Sequence, residues 1–338
     1  MSAQLNTATL PQFTDLVSRM FTEKLQSLPQ VMKTSWLVRV ERIPEQTGQF
    51  RRFAEFPDRS MYAKIKDEGS AAQKAKVQYW YEKDLQVERK WIDISITVEM
   101  RKQGKNQEIK QSLTDLTETC QNRLDLDLSH RLTFWTATTY ANMEGRTETI
   151  TLWDWFQLFY TAHTLTWSAT TYRNRLAWNP QFSKWALENI KKLAVEETFN
   201  NLWEKVAMDF DAIWCTDDEN TNNAIDELLN ATADITSANA GTYNVYRGKM
   251  RKIRLPRVAT TAAWGVDTTK AKYWGIASTA NTQLVLWVSE APYLITPVAW
   301  NNGEEFSTEN WNYASRNAYW IASIWGRWIK ASSWDGVA

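Results

Sequence analysis

The chain has 338 residues, with 39 basic and 39 acidic side chains and a formal net charge of zero. A neutral chain has no overall field that could hold nucleic acid or an anionic membrane, so a charge-driven partner must be met at a local patch. With 43% apolar and 23% charged residues, the composition is that of a globular protein, and the length favours two or more lobes.

The first residues, MSAQLNTATLPQFTD, lack the basic stretch and apolar core of a secretory signal, and the chain has only two cysteines, which favours the cytosol. No apolar run approaches the ~20 residues of a membrane span. Tryptophan is the outlier, at 20 of 338 residues. Such enrichment suits subunit interfaces and also sugar-binding clefts, because the indole ring joins a large apolar face to a polar edge.

The first predicted element is an amphipathic helix over 11–29, which begins at Pro11 and ends at Pro29. Its apolar stripe either packs on its own domain or lies as an arm on a neighbouring subunit.

Next, the sequence predicts a long β-hairpin whose strands cover 50–66 and 76–101, with a turn at 67–70. At ~3.3 Å per residue, arms of about 20 residues reach roughly 60 Å. An isolated ribbon of two strands is marginally stable in water, so we expect its outer part to be supported from outside the local fold. The tip is either solvated or part of a contact, and its charged residues are Asp58, Arg59, Lys64, Lys66, Asp67, Glu68, Lys74 and Lys76.

A long helix is predicted over 106–135, where apolar residues recur at 109, 113, 116, 120, 124, 128, 132 and 135. Cys120 lies on this stripe, which predicts a small buried hydrophobe. His130 lies off the stripe, which predicts an exposed side chain.

Short strands and turns are predicted over 133–180, followed by a second helix over 179–206. The segment from 208 to 312 is predicted to consist of shorter elements. It begins with a strand in FDAIWC, continues with a short helix over Ala224–Asn230, and then reads as short strands separated by turns.

The chain ends in a run predicted to be one strand, NAYWIASIWGRWIKASSWDG at 317–336, which is apolar on both faces. A strand with two apolar faces should be covered on both sides. We expect one face to lie under the long helix and the other to be covered by the second helix or by another copy. The run carries four candidate core or interface aromatics: Trp320, Trp325, Trp328 and Trp334.

Charge is segregated along the chain between 209 and 257. Eight acids and no base occur first, and six bases and no acid follow: Asp209, Asp211, Asp217, Asp218, Glu219, Asp226, Glu227 and Asp234, then Arg247, Lys249, Arg251, Lys252, Arg254 and Arg257. The two groups could neutralise each other internally, could pair head to tail in a ring of copies, or the bases could bind nucleic acid.

The lack of catalytic motifs in the sequence predicts a protein that is not an enzyme, with no catalytic residue, metal site or cofactor. The sequence contains no Walker loop, GxGxxG, HExxH, CxxC or GxSxG pattern, and only two histidines. Cys215 is followed by carboxylates that disfavour a reactive thiolate. Asp217, Asp218 and Glu219 could serve sugar hydrolysis, but acids in a turn before a helix more often cap that helix.

The order of these elements resembles the Hong Kong 97-type fold of tailed-phage major capsid proteins. The resemblance implies an α+β chain divided into an N-terminal arm (1–45), an extended β-hairpin loop (46–105), a peripheral domain (106–207) with a spine helix (106–135), an axial domain (208–312) and a C-terminal strand returning to the peripheral domain (313–338). It also implies contacts between subunits through the hairpin tip and through the charged residues of the axial domain, including Asp217, Asp218, Glu219, Arg247, Lys249 and Arg251.

The same resemblance implies a virion protein that assembles with itself in the host cytoplasm into pentamers and hexamers of an icosahedral shell. A separate scaffolding protein and a portal are the expected partners, with weak contacts to packaged double-stranded DNA and none to a membrane. Two alternatives stay open. One is an encapsulin-like nanocompartment shell, which is usually shorter, and the other is a tryptophan-rich carbohydrate-binding or glycoside-processing protein.

Overall fold

The computed structural model describes residues 10–27, 35–43, 50–54, 68, 82–103, 105–165, 168–200, 203–234, 242–297 and 310–333. Within these ranges the chain is a mixed α+β protein, as predicted. Five α-helices are present in this part of the chain: α1 Leu10–Ser27, α2 Val98–Lys102, α3 Asn106–Thr133, α4 Lys184–Glu196 and α5 Glu219–Asn230.

The strands of the described ranges form two four-stranded sheets and three two-stranded ones. They are β1 Arg39–Arg42, β2 Phe50–Ala54, β3 Glu82–Gln86, β4 Glu88–Ile96, β5 Thr139–Ala141, β6 Thr147–Thr149, β7 His163–Leu165, β8 Ser168–Tyr172, β9 Ala212–Cys215, β10 Arg251–Arg254, β11 Trp274–Ala277, β12 Leu284–Ile295, β13 Trp311–Ser323 and β14 Ile329–Ser332.

The first sheet has the order β1-β12-β13-β4 and carries α3 on one face. Strand β13 is antiparallel to both β12 and β4, whereas β1 runs parallel to β12. The eight apolar positions of the predicted stripe are all buried: Ile109, Leu113, Leu116, Cys120, Leu124, Leu128, Leu132 and Trp135. The long helix is therefore confirmed, and the 3.6-residue period correctly identified the face that packs.

Helix α1 packs on α3 and on the end of β13 within the same chain. Val17 and Phe21 are buried, and Val17 shares a cluster with Leu116 and Tyr313. The Lys24 ammonium lies 2.7 Å from a carboxylate oxygen of Glu118 on α3. Of the two packings considered for this helix, the structure has the one within its own chain.

The predicted hairpin is present at its base, where β2 pairs with β3 in antiparallel register. Strand β4 follows at once and joins the first sheet through β13. The prediction that the strand continues to residue 101 is wrong, because α2 begins at Val98. Thr97 caps this helix by accepting a hydrogen bond from the Met100 amide at 3.3 Å, which ends the extended conformation.

The second sheet has the order β10-β9-β11-β14 and packs against α4 and α5. The short helix is confirmed and is longer than predicted, since it starts at Glu219. The prediction of a helix over 179–206 is wrong in extent, because α4 covers only Lys184–Glu196. Beyond it the chain turns back on itself, with the Val206 amide donating to the Thr198 carbonyl at 3.1 Å.

The terminal run is two strands rather than one. Strand β13 ends at Ser323 in the first sheet, and β14 begins at Ile329 in the second. Between them the backbone passes close to Asn174, and a Cβ atom on Gly326 would lie 2.4 Å from the Asn174 Nδ2 atom. One hydrophobic core contains residues of both strands, so the two sheets share a single interior.

Candidate assembly surfaces

The described candidate core or interface aromatics of the terminal run are mostly covered by their own chain. Trp328 is 1% exposed and lies in the shared core. Trp320 is half-buried and packs beside Trp287 and Ile43 on the face of the first sheet opposite to that of Tyr319, which lies in the shared core with residues of α3. The expectation that the second helix covers this face is wrong, because α4 packs on the second sheet.

Trp325 is half-buried in the turn between β13 and β14. Its ring lies 6.3 Å from that of Trp153, and the Arg327 guanidinium lies 4.6 Å above it. Trp334 lies outside the described residues. Trp325 and Trp328 therefore make contacts within their own chain, and any role at an interface would be additional to these contacts.

The acidic turn before α5 is paired in part with the neighbouring strand. Because β10 runs parallel to β9 with Arg254 opposite Cys215, the end of β10 lies beside the acidic turn. The Arg254 Nη2 atom lies 2.9 Å from Asp217 Oδ1 and 3.4 Å from Glu219 Oε2. Asp218 caps the helix by accepting from the Thr221 amide at 2.9 Å, which confirms the capping interpretation.

Two further bases of the run 247–257 are used inside the chain. The Lys252 ammonium lies 2.6 Å from Asp226. Arg257 reaches the long helix, where its Nε atom lies 3.1 Å from Asp125 and its two terminal nitrogens donate to the backbone and side-chain oxygens of Asn122 at 2.8 and 2.7 Å. Internal neutralisation between the two charged groups therefore accounts for Lys252 and Arg254, whereas Arg257 pairs with Asp125, an acid outside the run 209–234.

The remaining bases of the run stay on the surface. Arg247, Lys249 and Arg251 are exposed, in and just after the turn that precedes β10. The Arg251 guanidinium lies 5.6 Å from the ring of Trp36. Within the described ranges, no carboxylate lies within ion-pair distance of Arg247 or Lys249. These two side chains form the basic turn, a part of the predicted charged surface that is available to another molecule.

Most of the predicted hairpin tip lies outside the described residues, namely Asp58, Arg59, Lys64, Lys66, Asp67, Lys74 and Lys76. Glu68 is described and is exposed.

Both cysteines are buried within the core. Burial raises the pKa of the Cys215 thiol to about 12, although the Lys252 and Arg254 charges act in the opposite direction. Burial also raises the pKa of Cys120. The predicted cause at Cys215, its neighbouring carboxylates, contributes less than burial does. In the described part of the chain, no three His, Cys, Asp or Glu side chains come together as a metal-binding set.

The prediction that His130 is exposed is wrong, since this residue is 1% exposed. Its Nδ1 atom lies 3.3 Å from the Tyr140 hydroxyl on β5, and its Nε2 atom lies 3.2 Å from the Thr260 hydroxyl. These segments cover the side of α3 that the apolar stripe leaves open. Burial, followed by the charges of nearby Arg123 and Lys270, lowers the pKa of His130 from its usual 6.5 to about 3.

The other histidine, His163 on β7, connects the segment between β6 and β7 to the segment after β8. The His163 Nδ1 atom lies 2.7 Å from Asp154 and its Nε2 atom lies 3.2 Å from Asn174 Oδ1, all three residues being buried. Asn174 in turn donates to the Leu158 and Gly326 carbonyls at 2.6 and 3.1 Å. No serine, threonine or cysteine side chain is part of this set, and no sequence spacing indicated it.

A charged cleft beside β4 was not predicted. Three carboxylates line it, from Glu88, Asp127 and Glu148, together with Trp320. Its free volume is about 20 Å³, enough for roughly one water molecule and far too small for a sugar ring. Glu88 is paired with Lys90 at 2.6 Å, and Asp127 accepts from the Tyr319 hydroxyl at 2.6 Å. The cleft is therefore a packed polar junction.

Among the described helices, none is both long and apolar enough to cross a lipid bilayer.

Comparison with family models finds no match, and comparison with curated proteins finds none either. Solved structures do match. A virus-like particle from Pyrococcus furiosus is 11% identical, with 95% of this chain and 99% of that chain covered and a TM-score of 0.48. The capsid of Myoviridae phage XM1 is 8% identical, with 89% and 91% covered and a TM-score of 0.48. The capsid of the cyanophage P-SCSP1u is 9% identical, with 87% and 85% covered and a TM-score of 0.48.

Proposed function

We propose that this chain is the major capsid protein of a tailed phage, of the Hong Kong 97 type, which assembles with itself into an icosahedral shell around the genome. The observation that carries the proposal is the position of β4. This strand leads directly out of the hairpin, lies at the edge of the first sheet, and is held there by β13 next to the long helix α3.

That arrangement gives the hairpin a rigid base. Strands β2 and β3 pair with each other as a separate two-stranded sheet. Because a two-stranded ribbon is marginally stable alone in water, its partner must come from elsewhere. A neighbouring copy of the same chain supplies one at every position of a closed shell.

The basic turn offers a second contact. Arg247 and Lys249 are exposed before the start of β10, while the acidic turn lies at the other end of this strand, where Arg254 pairs with Asp217 and Glu219. Glu227 on α5 is an exposed acid of the same lobe. In a ring of copies, the basic turn of one subunit meets acidic residues of the next, which supplies orientation more than affinity.

Under this proposal the chain is a structural protein and not an enzyme, the segments 1–45, 46–105, 106–207, 208–312 and 313–338 act as arm, extended loop, peripheral domain, axial domain and returning strand, and the protein is located in the virion after assembly in the host cytoplasm. A scaffolding protein, a portal and weakly held double-stranded DNA are its further partners.

The test is the assembly state of the purified full chain, measured by light scattering and negative-stain electron microscopy. The proposal expects closed particles of uniform size, and a monomer at high concentration contradicts it.

The charged contact is tested with the double variant Arg247→Glu/Lys249→Glu. It should lower particle yield while leaving the circular dichroism spectrum and the thermal midpoint of the unassembled chain unchanged. A matched control changes two exposed lysines on other elements, Lys110→Glu/Lys192→Glu. Equal yields for the two double variants would remove the basic turn from the proposal.

A further inference from the structure

Tryptophan occupies the left-handed region of backbone conformation at five places. In the described part of the chain, six non-glycine residues have positive φ, and five of them are tryptophans: Trp36 at 64°, Trp155 at 66°, Trp178 at 65°, Trp203 at 66° and Trp264 at 65°. The sixth is Asn179, at 37°. Asparagine is one of the residues normally found there, and tryptophan is not.

The rings of these five tryptophans do not offset the strain, because all of them are exposed. Their exposed fractions run from 43% at Trp264 to 70% at Trp178. A large side chain in a strained conformation persists when its packing over-determines it. The Trp203 ring lies 4.0 Å from that of Phe199, and Arg123 and Arg251 lie 5.0 and 5.6 Å from the rings of Trp264 and Trp36. Each of the five residues nevertheless stays at least 43% exposed, so these contacts do not over-determine the backbone. The backbone at each place is therefore suited to a residue without a Cβ atom.

Three of the five lie at the same position in the same pair of backbone hydrogen bonds, which closes a loop of five residues; of the loop 200–204, residues 200, 203 and 204 are described. In each loop the first residue's amide donates to the fifth residue's carbonyl, and the fourth residue's amide donates to the first residue's carbonyl. The two distances are 2.9 and 3.2 Å in 152–156, 2.8 and 3.1 Å in 200–204, and 2.8 and 3.0 Å in 261–265. The fourth positions are Trp155, Trp203 and Trp264.

A fourth copy of this loop has glycine at the same position. In 142–146 the two distances are 2.9 and 3.0 Å, and the fourth residue is Gly145 with φ of 76°. This is the hairpin loop in which a turn is followed by a left-handed residue, a position that favours glycine. One chain thus contains the same loop with the expected residue once and with tryptophan three times.

Composition points in the same direction. The chain has 11 glycines and 20 tryptophans. At the usual share of ~7%, about 24 glycines would be present in a chain of this length. Glycine is deficient and tryptophan is in excess.

We propose that the polypeptide made in the native host carries glycine at positions 36, 155, 178, 203 and 264, because the gene has UGA there and the host reads UGA as glycine. UGA is a stop codon in the standard code, and it encodes tryptophan in some variant codes and glycine in others. A UGA codon translated as tryptophan therefore places tryptophan where a host of the last kind inserts glycine. This proposal is independent of the shell function, and it removes five of the most exposed tryptophans from the candidate recognition surfaces.

The direct test is peptide mass spectrometry of the protein isolated from its natural source, together with the codons of its gene. We expect UGA at all five positions and peptides lighter by the difference between tryptophan and glycine residues at each. A UGG codon or a tryptophan-containing peptide at any of the five positions overturns the assignment there, and tryptophan at all of them overturns the proposal.

A second test uses the recombinant chain with tryptophan at these positions. The variants Trp155→Gly, Trp203→Gly and Trp264→Gly should each raise the folding equilibrium constant by roughly fivefold, measured by urea unfolding, since the left-handed strain is relieved. The reciprocal variant Gly145→Trp should lower it by a similar factor.

The matched control is Trp185→Gly. This tryptophan is also exposed, at 64%, but it lies in the first turn of α4, where glycine relieves no left-handed strain and gives the unfolded chain more backbone freedom. It should lower the constant. If the three loop variants lower it as Trp185→Gly does, these positions are not glycine positions.

Discussion

Replacing Trp328 with alanine separates a role inside the chain from a role between chains. Trp328 is 1% exposed and shares its core with Trp135 and Phe159. Removing a buried tryptophan side chain typically lowers the free energy of unfolding by 3–5 kcal/mol, since both the transfer energy and the packing around the cavity are lost, so we take about 4 kcal/mol. The loss should therefore be present in the unassembled subunit.

The expected shift of the thermal midpoint follows from the size of the chain. At about 2.1 cal/mol/K per residue, the unfolding entropy of 338 residues is roughly 0.7 kcal/mol/K. A loss of about 4 kcal/mol then lowers the midpoint by about 6 °C, measured by circular dichroism on the unassembled chain.

Two controls make this result interpretable. Trp185→Ala changes an exposed ring and should shift the midpoint by less than about 1 °C. Trp328→Phe keeps most of the side-chain volume and removes an indole N–H that has no hydrogen-bond partner among the described residues. Its loss in free energy of unfolding should therefore be less than half that of the alanine variant. If the unassembled Trp328→Ala chain has the thermal midpoint of the wild type but fails to assemble, the ring does not stabilise the single chain. That result would assign Trp328 to an interface between subunits.

Three other changes test the buried polar groups, each by urea unfolding. The pKa of His130 is lowered to about 3, so between about pH 3 and 6.5 the unfolded chain carries a proton on this residue that the folded chain does not. The free energy of unfolding therefore falls as the pH falls through that window. We expect a loss of about 2 kcal/mol between pH 7 and pH 5, and His130→Gln should remove this loss. Burial lowers the pKa of Lys330 to about 7, so stability should rise with pH between about 7 and 10.5, and a Lys330→Met chain with the same rise would contradict this. Arg257→Ala breaks the pair with Asp125, whose side chain is 4% exposed, and should lower the free energy of unfolding by about 2 kcal/mol. Lys192→Ala breaks an exposed pair and should lower it by less than about 0.5 kcal/mol.

The local elements were predictable where one physical signal dominated. The stripe of α3 has a clear helical period, and all eight of its apolar positions are buried. The acidic turn before α5 has the composition of a helix cap, and Asp218 serves as one.

The errors occur where distant segments decide the outcome. His130 is buried by Tyr140 and Thr260, which no periodicity of α3 could indicate. The run 317–336 reads as one strand because apolar residues continue through it. Its division depends on where the chain crosses from one sheet to the other, and Gly326 was the only local sign of that crossing.

The charged surface was half predictable. Segregation of acids and bases is visible in the sequence, but the choice among internal, intersubunit and nucleic-acid contacts requires the register of β10 beside β9. That register brings Arg254 to Asp217 and leaves the basic turn exposed.

The connection from β13 to β14 also has a mechanical meaning. Strand β13 pairs through residues 311–319 with β4, the strand that leads out of the hairpin. Only five residues after β13 ends, β14 begins and pairs with β11 in the other sheet. Five residues span at most about 18 Å, so little slack separates the two sheets. A tensile force applied at the hairpin would be loaded as shear onto the hydrogen bonds of β13 and passed through this short tether into the second sheet, so that a pull on one end of the subunit is resisted by the whole of it.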